Sequence, residues 1–159
     1  MTAPTKQILK AELLARLGDD LRALERAHRA TCEGATHEEA KPENDKDTRA
    51  LEQSYLARGQ AVRIEELRAS IAAVNALSLR DIEGQRATVG ALVTIEEDGD
   101  ESTLLFAPAG GGARLADGAV QVVTPRSPLG RALFGRSAGD AVEIVVAGKT
   151  RALHVVRIA

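Results

Sequence analysis

The chain has 159 residues, enough for one ordinary domain or two small ones. Hydrophobic residues make up 44% and charged residues 28%, which predicts a chain that folds and stays in solution. The aromatic share of 2% argues against base-stacking platforms for single-stranded nucleic acid, and the net charge of −2 predicts no general attraction to DNA or anionic membranes.

The first half of the chain carries the spacing of two paired helices. Leucines fall four and three residues apart at Leu14, Leu17, Leu21 and Leu24. The same spacing returns at Ile64, Leu67, Ile71 and Val74. Such heptad-like patterns are typical of helices packed as a coiled coil. Helix-breaking residues bound the segment 34–44 between them, so we predict an antiparallel helical hairpin whose seam becomes polar toward its tip.

The second half changes in composition near residues 77–83, and we place a domain boundary between residues 78 and 79. Ser127-Pro-Leu-Gly-Arg-Ala-Leu-Phe-Gly predicts a short helix, with Ser127 as N-cap and Pro128 at the first helical position. Alternating, β-branched runs predict strands over 87–95, 102–107, 119–124, 140–146 and 151–158. The predicted fold class is α+β: a coiled-coil finger (1–78) followed by a small antiparallel sheet domain with one short helix (79–159).

Features that mark a compartment or an enzyme are missing from the sequence. The single cysteine, Cys32, excludes an internal disulfide framework and a cysteine-rich zinc site. We expect no signal peptide, because Met1 to Lys10 carries no apolar core behind a basic start. No apolar run approaches the roughly 20 residues that span a bilayer. There is also no nucleophile elbow or Walker-type loop. We therefore expect a cytoplasmic protein with no membrane partner.

The segment from Glu33 to Asp47 is the most polarised part of the chain. Two lysines accompany its six acids, which are Glu33, Glu38, Glu39, Glu43, Asp45 and Asp47. Carboxylates clustered at an exposed turn can hold a hard divalent cation such as Mg²⁺, or they can simply solvate a loop. The residues alone favour the solvated loop, since the spacing of a calcium-binding loop is absent.

Residues 127–140, followed by Val142-Glu-Ile, resemble the C-terminal domain of Gre-type bacterial transcription elongation factors. The most recognisable block of that family reads Ser-Pro-x-x-Arg-Ala-Leu-x-Gly-x-x-x-Gly-Asp. After the initial Ser-Pro, the matching positions here are Arg131, Ala132, Leu133, Gly135, Gly139 and Asp140. The family's architecture, a coiled-coil finger before an FKBP-like sheet domain, agrees with the two predicted halves. The resemblance therefore covers nearly the whole chain.

The resemblance implies a regulator of RNA polymerase that is not itself an enzyme. The sheet domain would bind the rim of the polymerase secondary channel, and the finger would enter that channel. Acidic tip residues would then help the polymerase's own active site to bind a second Mg²⁺ and hydrolyse backtracked RNA at its 3′ end. We expect a monomer with no cofactor of its own. The expected contacts with the polymerase are Pro128, Leu129, Arg131 and Phe134, whose alternative role is helix capping and core packing.

The tip departs from the family pattern. Typical cleavage factors carry Asp-x-x-Glu-Asn there, and matching Glu43-Asn44 to its Glu-Asn places Ala40 at the Asp position. Glu39 is the nearest carboxylate. We expect Glu39 and Glu43 to form the pair that approaches the polymerase metal, with Asp45 as a substitute.

Three alternatives remain open at this stage. One is a Gre-like channel regulator or inhibitor that does not stimulate cleavage. A second is an FKBP-like prolyl isomerase or chaperone, which is disfavoured because the C-terminal half offers only Phe106 and Phe134 to line an aromatic pocket. A third is a structural coiled-coil adaptor, which would leave the acidic tip without a role.

Overall fold

The structure is a computed structural model that describes residues 4–39 and 47–159, with side chains over 4–34 and 48–159. Two long helices come first, α1 (Lys6–Glu39) and α2 (Asp47–Asn75). The strands are β1 (Leu92–Glu97), β2 (Asp100–Phe106), β3 (Arg114–Leu115), β4 (Val120–Val123), β5 (Ala141–Val146) and β6 (Lys149–Ile158). A short helix, α3 (Pro128–Leu133), lies between β4 and β5 in the chain. The predicted helical hairpin and antiparallel-rich sheet domain are confirmed.

The chain divides into two compact units. One is Ala15–Ile71, and the other joins Met1–Leu14 to Ala72–Ala159. The first turns of α1 and the last turn of α2 therefore belong with the sheet. The functional boundary placed between residues 78 and 79 stays a prediction.

In the unit Ala15–Ile71, α1 and α2 run antiparallel. A Cβ built at Gly34 would lie 3.6 Å from Gln53 Nε2, while Arg68 Nη2 donates to Glu25 Oε1 at 2.9 Å. Residue numbers thus fall along α1 as they rise along α2. Leu17 and Ile64 are buried in this unit. Closer to the tip, the Oε1 atoms of Gln53 and Gln60 are buried without a hydrogen-bond partner among the described residues. The seam is therefore apolar at its base and polar toward the tip.

The first turns of α1 bind backbone groups of the sheet unit. The described last turn of α2 has no basic residue, but Lys10 Nζ donates to Asn75 O at 3.0 Å and to Leu77 O at 2.9 Å. A cation is favourable there because the last carbonyls of a helix lack partners within it. Lys6 Nζ donates to Arg80 O at 3.0 Å, and burial lowers the pKa of that ammonium group. On the other side of α1, Glu12 Oε2 accepts from Ala116 N at 2.9 Å.

The described strands form a six-stranded sheet in the order β3-β4-β2-β1-β6-β5. A cluster that includes Phe106, Leu133 and Val155 buries the face of the sheet against which α3 packs. Leu105 points to the other face by strand alternation and is also buried, as are Leu9 and Leu13 of α1. Both faces of the sheet are therefore buried, one of them beneath α3.

Three features of the sheet differ from the prediction. The first strand begins at Leu92 rather than at Ala87, because Ala87 N–H bonds Arg136 O at 2.8 Å and Gly90 turns the chain at φ +97°. The pairing of β2 with β4 is parallel, whereas the other pairs are antiparallel as expected. The strand β3, which has two residues, is too short for a periodic pattern to reveal.

Candidate functional site

The segment that carries the family-like block begins with a capped helix. Ser127 has extended φ and ψ of −68° and 153°, and its Oγ accepts a hydrogen bond from Gly130 N at 3.0 Å. The same hydroxyl donates to Thr124 O at 2.9 Å. Pro128 follows at the start of α3, where its missing N–H would have had no partner within the helix. The predicted N-cap and first helical position are confirmed.

Gly130 lets the preceding turn approach α3 very closely. A Cβ at this position would lie 1.9 Å from Thr124 O and 2.8 Å from Ser127 Oγ. No side chain fits that space, so the glycine is required by backbone contact. The close approach holds the turn 124–127 against the helix and sets the direction in which α3 leaves β4.

The later small residues of the block tie the segment after α3 to the sheet domain. Gly135 N donates to Ala87 O at 2.7 Å, and Gly139 N donates to Val155 O at 2.7 Å. Asp140 Oδ2 accepts from Ser137 N at 2.8 Å, which closes the turn before β5. These bonds fix the path of the backbone between residues 135 and 140.

The four residues predicted to contact a partner fall into two groups. Leu129 is half-buried and packs against the core beside the fully buried Leu133. Pro128 and Arg131 are exposed, and Arg131 Nη2 donates to Arg126 O at 2.9 Å. Phe134 is 48% exposed although it is apolar, and its ring centroid lies 6.4 Å from that of the buried Phe106. The structure thus presents Pro128, Arg131 and Phe134 on one short, rigid segment.

Three further exposed arginines lie on or beside this segment, and none of them was predicted from the sequence. Arg126 and Arg136 flank α3, and residues 124–139 contain no acid at all, which is a signal that could have identified both. Arg86 carries no such signal. It joins the segment because its neighbour Ala87 exchanges backbone hydrogen bonds with the segment 135–136, at 2.7 and 2.8 Å.

The predicted metal-assisting residues lie mostly beyond what the structure describes. Glu39 is the last residue of α1, and its side chain is outside the described ones; Glu43 and Asp45 are outside the described residues altogether. Over residues 4–39 and 47–159, no group of three or more His, Cys, Asp or Glu is arranged to hold a metal ion. The pair Glu39 and Glu43, and its substitute Asp45, stay a prediction.

One ion pair in the sheet domain, between Glu97 of β1 and Arg151 of β6, shifts the pKa values of both partners. Arg151 Nε donates to Glu97 Oε1 at 2.9 Å, across the register of β6 and β1. This hydrogen bond lowers the pKa of the Glu97 carboxyl and raises that of the Arg151 guanidinium. The pair stabilises the sheet and is separate from the α3 segment.

Comparison with known proteins places the site in a family. The family model described as "Transcription elongation factor, GreA/GreB, C-term" matches residues 82–159, which include α3 and all of its surrounding arginines. Transcription elongation factor GreA of Magnetococcus marinus is 31% identical over 165 residues, covering 99% of this chain and 95% of that protein. The chain belongs to the GreA/GreB transcription elongation factor family. GreA of Brucella anthropi is 28% identical over 158 residues, with 98% and 94% of the two chains covered.

Solved structures of Gre-type proteins are also similar to this chain. GreA factor homolog 1 (Gfh1) of Thermus thermophilus aligns with a TM-score of 0.40 and 19% identity, over 92% of this chain and 94% of that one. A GreA/GreB factor from Nitrosomonas europaea aligns with a TM-score of 0.39 and 17% identity, over 58% and 78% of the two chains. In the part of this Gre-family chain that the structure describes, no helix has the length and apolar character needed to cross a bilayer.

Proposed function

We propose that this Gre-family protein binds bacterial RNA polymerase through the exposed surface of α3. Membership of the GreA/GreB family supports the choice of partner. The observation that carries the proposal is Phe134, which is 48% exposed at the end of a helix whose two leucines pack inward. Exposed aromatic and arginine side chains on a rigid support are typical of the centre of a protein interface.

We further propose that the two halves of the chain have separate roles. Residues 79–159 dock on the rim of the polymerase secondary channel, and residues 1–78 enter that channel. The 34 residues of α1 make a helix about 51 Å long at 1.5 Å per residue, long enough to carry a tip away from a docking surface. Inside the channel, the tip of the finger would approach the 3′ end of backtracked RNA. The protein acts as a cytoplasmic monomer without a cofactor of its own and supplies no active site itself.

At the tip, Glu39 and Glu43 would assist the polymerase in holding Mg²⁺, with Asp45 as a substitute. Carboxylate oxygens are suitable ligands for this cation, which usually keeps several waters and takes only one or two protein carboxylates. The metal itself would stabilise the attacking and leaving oxygens of the hydrolysis. The carboxylates of this chain would help to anchor the metal and orient a water. The finger would thus complete a site whose other groups belong to the polymerase.

A second candidate function differs only at the tip. Ala40 stands where typical cleavage factors carry an aspartate, which supports a channel regulator that binds the polymerase without stimulating cleavage. Both candidates use the same docking surface and the same finger.

Two measurements on the wild-type protein separate these candidates. The first is binding to purified bacterial core polymerase, for which we expect a stable complex. The second is transcript cleavage by a stalled, backtracked elongation complex in Mg²⁺. Faster cleavage supports the cleavage factor, whereas binding without faster cleavage supports the non-cleaving regulator. A protein with no affinity for the polymerase would contradict both.

A further inference from the structure

The strongest unexplained feature of the surface is a set of four exposed arginines on and beside the segment that carries Phe134. We call this set the arginine rim, defined as Arg86, Arg126, Arg131 and Arg136. The whole chain has 21 basic and 23 acidic side chains, yet residues 124–139 hold three arginines and no acid. A local concentration of one charge in a nearly neutral chain needs an explanation.

Hydrogen bonds to backbone carbonyls connect the segments that carry the rim. Arg131 Nη2 donates to Arg126 O at 2.9 Å, so these two residues are adjacent on the surface. Gly135 N donates to Ala87 O at 2.7 Å and Ala87 N donates to Arg136 O at 2.8 Å, which brings the backbone of Arg86 beside Arg136. The rim therefore draws on two distant parts of the sequence whose backbones are hydrogen-bonded to each other.

The rim arginines form no ion pair with acidic side chains among the described residues. The nearest acids in sequence are Glu83 and Asp140, and Asp140 Oδ2 already accepts from Ser137 N at 2.8 Å. The ion pairs found among the described side chains join other arginines to acids, and none involves a rim residue. Arg131 and Arg136, which flank Phe134 in the chain, are thus exposed and outside these ion pairs, so a partner that approaches the ring meets positive charge nearby.

We propose that the arginine rim selects an acidic protein surface that contains an apolar socket for Phe134. This inference rests on the proposed function and deepens it, because it specifies the chemistry of the polymerase surface that receives the sheet domain. Complementary charge steers encounter and sets the register of docking, while the half-exposed aromatic ring supplies apolar area at the centre. A nucleic acid is the less suitable occupant. Its phosphates would match the arginines, but a single half-exposed aromatic ring is not a stacking platform.

The experiment titrates core polymerase with the full-length wild type and with the charge-reversal variants Arg86→Glu and Arg136→Glu, at low and at high salt. Arg114→Glu is the matched control, because Arg114 is also exposed but lies on β3, at the sheet edge opposite β5. We expect each rim variant to bind about tenfold more weakly at low salt, and the control to stay within about twofold of the wild type. Added salt should weaken polymerase binding by the wild type more than binding by the rim variants. Circular dichroism verifies that all variants are folded, and Arg86→Gln and Arg136→Gln, which remove charge without reversing it, should give intermediate losses.

The outcomes separate this inference from the proposed function. A wild type that binds the polymerase, together with rim variants that bind equally well, overturns the inference and leaves the proposed function intact. A wild type that does not bind the polymerase overturns both. Titration with a duplex DNA is the last arm, and DNA binding that is lost in the rim variants but not in Arg114→Glu would replace the acidic protein surface with a nucleic acid.

Discussion

Substitution of Gly130 by alanine tests whether the backbone contact beneath α3 sets the docking surface. The new Cβ would lie 1.9 Å from Thr124 O and 2.8 Å from Ser127 Oγ, so both the turn and the N-cap must move. Loss of a serine cap costs about 1 kcal/mol, and overpacking of a tight contact costs about 1–3 kcal/mol. We therefore expect Gly130→Ala to lower the free energy of unfolding by about 2–4 kcal/mol.

Scanning calorimetry is the appropriate assay, since the chain has no tryptophan to report unfolding by fluorescence. For a chain of this size the expected loss corresponds to a fall in Tm of roughly 5–15 °C. The same substitution at Gly59 is the matched control. A Cβ there meets nothing within 4 Å, and alanine is favoured over glycine inside a helix by about 0.5–1 kcal/mol, so Gly59→Ala should raise stability.

The two substitutions are expected to change stability in opposite directions, which no general effect of alanine would produce. Gly130→Ala should also weaken polymerase binding, because Phe134 and Arg131 move with α3, whereas Gly59→Ala should not. If the free energy of unfolding of Gly130→Ala lies within about 0.5 kcal/mol of the wild-type value, the close contact does not constrain the segment and the prediction is wrong.

Three further predictions concern other parts of the chain. Glu43→Ala should keep polymerase affinity within about threefold and lose most stimulation of Mg²⁺-dependent cleavage, because docking uses the other domain; cleavage equal to that of the wild type would refute the role of Glu43. Lys10→Met should lower the free energy of unfolding by about 1–2 kcal/mol in urea denaturation, since it removes the bonds to Asn75 O at the end of α2 and to Leu77 O just beyond it; an unchanged midpoint would show that water replaces the ammonium group. The lowered pKa of Glu97 means that its contribution to stability is present above its unfolded value near 4.5 and disappears as the pH falls through its folded value. Arg151→Gln should therefore flatten the loss of Tm between about pH 5 and pH 3, and an unaltered pH profile would contradict this.

Much of the fold was predictable because its signals are local. The spacing of Leu14, Leu17 and Leu21 repeats within two turns, so it indicates a helix and its packed face without any knowledge of the partner. Ser127-Pro128 likewise predicts the start of α3, because a cap and a fixed φ act within one turn. The family block was visible for the same reason.

The tertiary structure decided the features that depend on distant segments. The segment from Ala87 alternates like a strand, but the backbone of Ala87 bonds to Arg136, and the chain joins the sheet only at Leu92. The same contact places Arg86 in the arginine rim, which no pattern around residue 86 indicates. Lys10 meets the end of α2 only once the hairpin has formed. Periodicity and capping act over a few residues and can be read along the chain, whereas these contacts join residues about 50 or more positions apart, and their energies exist only after the chain has folded.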